Sequence, residues 1–307
     1  MSASQTSAET TQPINVLLGV TRCKSFFGVL TILVCVFGGY MWAGGSLGAI
    51  WQPAEFLIII GAAAGSLIIG NPPHVLKEMR RQVPATIKGP TEEHEYYMEL
   101  MALLNNLLET ARNRGYKFLD SHIEAPEQSS MFLAYPTIAE DHRLISFITD
   151  NLRLMAMGQM SPHELEGLLE QEIEAIQNEM LLPSRSLQRT AEALPGFGIL
   201  AAVGGIIITM QAIDGSIAMI GYHVAAALVG TFIGIFGCYC GLDPLSNAMA
   251  QRVKRNMTAF ECVRATLVAY VAKKPTLLAI DAGRKHIQLD IKPTFNQMEK
   301  WLAEQEG

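Results

Sequence analysis

The chain has 307 residues, of which 50% are hydrophobic and only 17% charged, with a formal net charge of −6. Soluble domains carry about 25% charged residues, so this composition points to an integral membrane protein with a substantial polar part, and nothing in it announces a basic surface for nucleic acid. The five cysteines, Cys23, Cys35, Cys238, Cys240 and Cys262, show no zinc-type spacing and imply no disulfide framework.

Residues 1–25 are rich in Ser, Thr, Ala and Gln and predict a mobile tail. Arg22 and Lys24 then precede FFGVLTILVCVFGGYMW. This looks like a secretory signal, but no small-residue cleavage site follows, so the stretch 26–42 reads as an uncleaved first membrane span. A second span covers 54–69. Both are slightly short of the roughly 20 apolar residues that cross a bilayer. The connection 43–52 is small and uncharged, and Trp42 and Trp51 bracket it as aromatic residues do at a membrane interface. Asn71, Pro72 and Pro73 end the second span.

The 71–193 segment is helical in pattern. Tyr97, Leu100, Met101, Leu104, Leu107, Leu108 and Ala111 recur at three-and-four spacing, and Gly115 offers a stop. A second helix over 138–157 carries Leu144, Ile148, Leu152 and Met155 on one face. Ser161, Pro162 and Glu164 form a helix start, leading into an acidic helix that Pro183 is expected to close.

Two long apolar runs follow within 194–242, separated by the turn formers Asp214, Gly215 and Ser216. They predict a transmembrane hairpin; a buried core helix is the alternative for either run alone. Gly198, Gly204 and Gly205 on the first helix, and Gly230 and Gly234 on the second, allow the close approach by which helices associate in lipid. Thr231 is either a hydroxyl bonded back to its own helix or a polar group facing an ion path. Ion-moving proteins usually carry a carboxylate or other ionisable group at mid-membrane, and between Leu194 and Leu242 the only candidates are His223, Asp214 and tyrosines near the ends. Glu55 stands at the very start of the second span and is read as too shallow to serve.

The remaining segment, 243–307, continues the last membrane helix until Pro275, with Val253, Met257, Phe260, Val263, Leu267 and Val271 at helical spacing. Shorter helices start near Thr276 and Thr294. The fold class is therefore all-α: four transmembrane helices with a helical cytoplasmic domain. Neither short connection contains Lys or Arg, whereas Arg22, Lys24, Lys77, Arg80, Arg81, Arg252, Lys254 and Arg255 flank the other side. Both termini and the 71–193 segment are thus expected in the cytoplasm. No P-loop, nucleophile elbow or metal motif appears, and the chain is not expected to be an enzyme or to need a cofactor. The patch ARNRGYKFLDSHIEAPE places Arg112, Arg114 and Lys117 close before Asp120, Glu124 and Glu127. It is either ordinary surface charge or a partner-selecting face.

GGYMWAGGSLGAIWQPAEFLIIIGAAAGSLIIGN over 38–71, LPGFGILAAVGG from Leu194 and HVAAALVGTFIGI from His223 resemble the MotA-type flagellar motor stator subunits, of the MotA/TolQ/ExbB proton channel family. The resemblance implies a multi-pass protein of the bacterial inner membrane, in a ring of copies around a MotB-type partner. That partner carries the proton-binding aspartate and anchors to peptidoglycan, supplying the carboxylate the hairpin lacks. It implies that Pro195 and Pro244 couple channel occupancy to helix movement, and that Thr231 lies beside the partner's aspartate. Ala202 stands where sodium-driven members carry threonine, which favours protons as coupling ion. Arg112 matches the arginine facing the rotor switch protein, and Asp120 stands where the closest pattern has glutamate. The long tail and Asp243 beside Pro244 depart from the pattern, and Asp243 is a candidate for proton exit. A TolQ/ExbB-type energiser of outer-membrane transport is the rival reading; it lacks the closely spaced first pair of spans.

Overall fold

The computed structural model describes residues 26–89, 93–158, 160–211 and 216–305. The predicted tail, Cys23, Arg22, Lys24 and the turn residues Asp214 and Gly215 lie outside them. The described residues are helical and contain no strand. In chain order the main helices are α1 (Phe26–Trp42) and α2 (Pro53–Ile69), α3 (Pro73–Lys88), α4 (Glu93–Arg114), α5 (Tyr116–Glu124) and α6 (His142–Met157). There follow α7 (Pro162–Gln211) and α8 (Ile217–Val271), which carry apolar stretches long enough to cross a membrane. The chain ends with α9 (Thr276–Arg284) and α10 (Phe295–Gln305). Single helical turns occupy Leu47–Ile50, Ser130–Leu133 and Pro136–Ala139.

Two of the predicted ends differ. Pro183 does not close the acidic helix: α7 runs 50 residues through both Pro183 and Pro195. Proline removes one backbone donor and crowds the preceding turn, but Pro183, Ser184 and Leu187 are buried, so packing on the following turn sustains the helix. The 138–157 helix is split, with one turn at Pro136–Ala139 and a fresh start after Asp141, whose carboxylate accepts from the Leu144 amide.

The chain divides into two compact units, residues 1–91 with 182–250 and residues 92–181 with 251–307. In the first, Ile59 and Ala63 of α2 pack with Ala191, Leu194 and Ala201 of α7 and Cys238 of α8. Met79 of α3 meets Leu187 and Met249. Phe37 of α1 lies edge-on to Phe236, with ring centroids 5.3 Å apart. Its large side chains otherwise face outward: Ile199, Leu200, Ile206, Ile207, Ile208 and Leu228 are all exposed.

The second unit has a filled core. All seven apolar positions predicted for 97–111 are buried, as are Leu144, Ile148, Leu152 and Met155 of α6. Phe147 meets Phe260 of α8 with centroids 5.2 Å apart, and α9 and α10 both pack on α4. Gly115, at φ +80°, makes the turn between α4 and α5 in a conformation that favours glycine. At the start of α7, Ser161 and Glu164 form a reciprocal capping box: the Glu164 amide donates to Ser161 Oγ, and the Ser161 amide to Glu164 Oε2 at 2.9 Å. Thr294 and Gln297 repeat the arrangement before α10.

Candidate functional site

In the first unit the backbones of α7 and α8 come close together at glycines. A Cβ on Gly198 would stand 2.8 Å from the Gly230 carbonyl oxygen and 3.3 Å from the Thr231 Cα; one on Gly234 would stand 2.6 Å from the Leu194 oxygen. Neither position has room for a side chain, and the obstacle is backbone that cannot rotate away. The Gly230 and Gly234 pair thus packs on Gly198, as GxxxG spacing allows. Thr231 is thereby held beside Gly198, one turn beyond Pro195.

Pro195 is half-buried within α7. It has no amide hydrogen to give the Ala191 carbonyl four residues back. Pro244 is exposed and lies one residue past a π-helical turn over Gly237–Leu242, after Asp243. A wider turn accommodates a residue that cannot donate to the carbonyl four back, and such turns gather at functional places. Ala202 is half-buried, and its methyl offers no ligand oxygen. Thr31 and Thr209 bond back to carbonyls four residues earlier, each at 2.8 Å; no such bond is found at Thr231 among the described residues.

Glu55, which the sequence places at the very start of the second span, is buried. Its side chain is only 6% exposed, and its Oε2 lies 2.9 Å from where a Gly230 Cβ would be, with Ala201 Cβ at 3.3 Å from the same point. The carboxyl is therefore level with Ala201 and Gly230, the immediate neighbours of Ala202 and Thr231. By helical rise, Gly230 is about 20 Å along α8 from Ile217. The 43–52 connection makes this possible by folding inward: Gly44 takes φ +87°, and the turn at Leu47–Ile50 packs on α8. Sequence position alone measured the distance to a helix end, which is a different quantity from depth in the bundle. The signal available was a carboxylate beside an apolar run facing a helix rich in glycine.

Arg112 and Asp120 are both exposed, on α4 and α5 either side of the Gly115 turn, and no ion pair joins them among the described residues. Arg112 Nη2 donates to the Lys274 carbonyl at 2.8 Å, and the guanidinium lies 5.6 Å from the Tyr270 ring centroid. Burial pushes the Tyr270 phenol up, with Arg112 pulling the other way; burial and Tyr270 push Tyr116 up to about 12. A carbonyl and a neutral ring orient the guanidinium without cancelling its charge.

Residues 26–115 match the description "Motility protein A N-terminal", and residues 140–262 match "MotA/TolQ/ExbB proton channel family". The chain is 95% identical over 284 residues to "Chemotaxis protein LafT" of Vibrio parahaemolyticus, covering 92% of this chain and 100% of that protein. It is 37% identical over 273 residues to "Motility protein A" of Escherichia coli, covering 89% and 92%. Its fold is similar to the solved MotAB of C. jejuni, with TM-score 0.66 and 17% identity, covering 87% of this chain and 96% of that one. It is also similar to the flagellar MotAB stator complex of Bacillus subtilis, with TM-score 0.63 and 20% identity, covering 90% and 98%. With two relatives above 30% identity matched over nearly their whole length, this chain belongs to the motility protein A branch of the MotA/TolQ/ExbB proton channel family.

Proposed function

We propose that this chain is a stator subunit of the bacterial flagellar motor, forming with a MotB-type partner a proton channel that turns ion flow into rotor torque. Four spans, α1, α2 and the apolar parts of α7 and α8, cross the inner membrane with both termini in the cytoplasm. Copies of the chain form a ring around the partner, whose aspartate accepts the proton. Neutralising that buried charge removes a large desolvation cost, and the two states then favour different packings of the ring. Pro195 and Pro244 are the coupling points, Thr231 lies along the ion path, and Ala202 leaves it without the oxygen a sodium ion would want.

The observation that carries this reading is that both prolines lie in helices that do not stop at them. A proline needed only for termination would end its helix; here each leaves one carbonyl without its usual donor, Pro195 one turn before the glycine contact of α7 and α8 and Pro244 just beyond the π-helical turn of α8, and each is a place where a helix can bend. Arg112 and Asp120 would meet opposite charges on the rotor switch protein, and no carboxylate among the described residues forms an ion pair with Arg112. The match of 26–115 to the motility protein A N-terminal description favours the stator over the TolQ/ExbB-type energiser, which lacks the first pair of spans.

Swimming of a strain lacking its own stator pair, complemented with this chain and its partner, tests the proposal. Swimming should require proton-motive force and be indifferent to sodium. Swimming that tracks sodium overturns the ion assignment, and none despite membrane expression and partner binding overturns the stator. Substituting both Arg112 and Asp120 by opposite charges should abolish swimming; intact motility removes the rotor assignment.

A further inference from the structure

We infer that Glu55 is a proton-exchange site of this subunit, taking up protons from the side of the 43–52 connection and passing them inward toward the partner's carboxylate. The inference rests on the stator reading above. Its foundation is geometric: Glu55 is 6% exposed, and its Oε2 is buried without a hydrogen-bond partner. The oxygen points at Gly230, whose missing side chain leaves the space it occupies. A buried polar atom with no partner is a cost that an apolar residue at the same place would avoid.

Among the described residues, the neighbouring helices contribute no carboxylate, lysine or arginine to hold it. α1 carries Cys35 and Tyr40, α7 carries no ionisable residue between Leu194 and Gln211, and α8 between Ile217 and Leu242 carries Tyr222, His223, Cys238, Tyr239 and Cys240. Tyr222 is engaged by donating to Gln52 Oε1 at 3.3 Å. Gln52 directly precedes α2, so this pair marks the path between the connection and Glu55. The exchange balances simply. A hydronium ion on the side of the connection gives its proton to the Glu55 carboxylate and becomes water, the new O–H bond breaks as the proton passes to the partner's carboxylate, which gains the O–H, and no oxidation state changes.

The test compares wild type, Glu55→Asp and Glu55→Gln in the full complex with the MotB-type partner, by swimming across external pH and by infrared spectroscopy of the purified complex. Glu55→Gln should reach the membrane and retain the partner at wild-type levels, yet lower proton-driven rotation about 100-fold, the scale of a lost proton-transfer group. Glu55→Asp should restore part of it. The wild-type spectrum should show a titrating carboxyl band that Glu55→Gln lacks. Wild-type swimming with unchanged pH dependence in Glu55→Gln overturns the inference, and so does loss of swimming accompanied by loss of partner binding, which marks a structural role. Should the wild-type complex itself fail to support swimming, the stator reading falls, and the infrared band alone decides whether Glu55 exchanges protons.

Discussion

In the unit built from residues 92–181 and 251–307, the large apolar side chains are inside; in the unit built from residues 1–91 and 182–250, most of them face out. Leu100, Leu103, Leu107 and Leu108 are fully enclosed, whereas Ile207 is 54% exposed and Leu228 67%. On the membrane reading proposed above, each unit is folded for a different solvent. Where water surrounds the helices, burying side chains drives association. Where lipid does, that drive is absent, and contact rests on backbones brought close at Gly198, Gly230 and Gly234.

Truncating a core leucine separates the two most widely. Leu107→Ala is expected to destabilise the water-facing unit by about 2–5 kcal/mol through the lost transfer energy and the cavity left behind, read by thermal unfolding of the purified chain in detergent. Next comes crowding. Gly283 of α9 lies on α8, and a Cβ there would run into the Thr266 hydroxyl and stand 2.5 Å from the Cys262 carbonyl oxygen. Gly283→Ala should cost about 1–3 kcal/mol in the same unfolding measurement; an unchanged midpoint would mean that α9 is not held this closely to α8.

An ionic contact comes third. Burial alone would raise Asp281, but hydrogen bonds and charge from Arg284 and Lys285 hold its carboxyl below the usual range; Arg284 Nη2 donates to Oδ1 at 2.6 Å. Because the folded value lies below the unfolded value of about 3.9, its contribution is complete above roughly pH 4 and is lost as pH falls through the lowered folded value. Asp281→Asn should therefore cost about 1.5 kcal/mol at neutral pH, with the gap from wild type closing in acid. A gap that stays constant with pH would refute the ionic origin.

The smallest effects test the edges of the comparison. Ser161→Ala removes the cap at the start of α7 and should cost about 1 kcal/mol. Ile207→Ala, on the outward face, should shift unfolding by less than about 0.5 kcal/mol; a core-sized loss there would show that this face is packed against protein and not lipid.

Periodicity served well wherever one face of a helix meets a core. Tyr97 through Ala111 were readable because water on one side and leucine on the other impose a repeat of three and four. The capping box at Ser161 was readable because its chemistry is local. Pro183 misled because its effect on the helix is decided by packing from distant residues. The burial of Glu55 was not legible, because it depends on a connection that folds back on α8. The Gly230 and Gly234 spacing was visible, but its seat on Gly198 depends on how two helices pair. The roles of Pro195, Pro244, Thr231, Ala202, Arg112 and Asp120 came from family resemblance; nothing in their local patterns distinguishes a functional proline or arginine from an ordinary one.

The water-facing unit has a consequence for biosynthesis. Its core is assembled from two stretches, with α9 and α10 seated on α4, and residues 182–250 intervene between them. At typical elongation rates of about 5–20 residues per second, the ribosome spends several seconds on that interval while leucines of α4 await their partners. The first stretch therefore emerges as an unfinished half, exposed to aggregation and to chaperones, and is closed only after residues 182–250 have been made. Chains that stall or are cut within α8 should be cleared quickly, because in the half already made α5 packs on α4 and α6 but α4 still lacks the cover of α9 and α10.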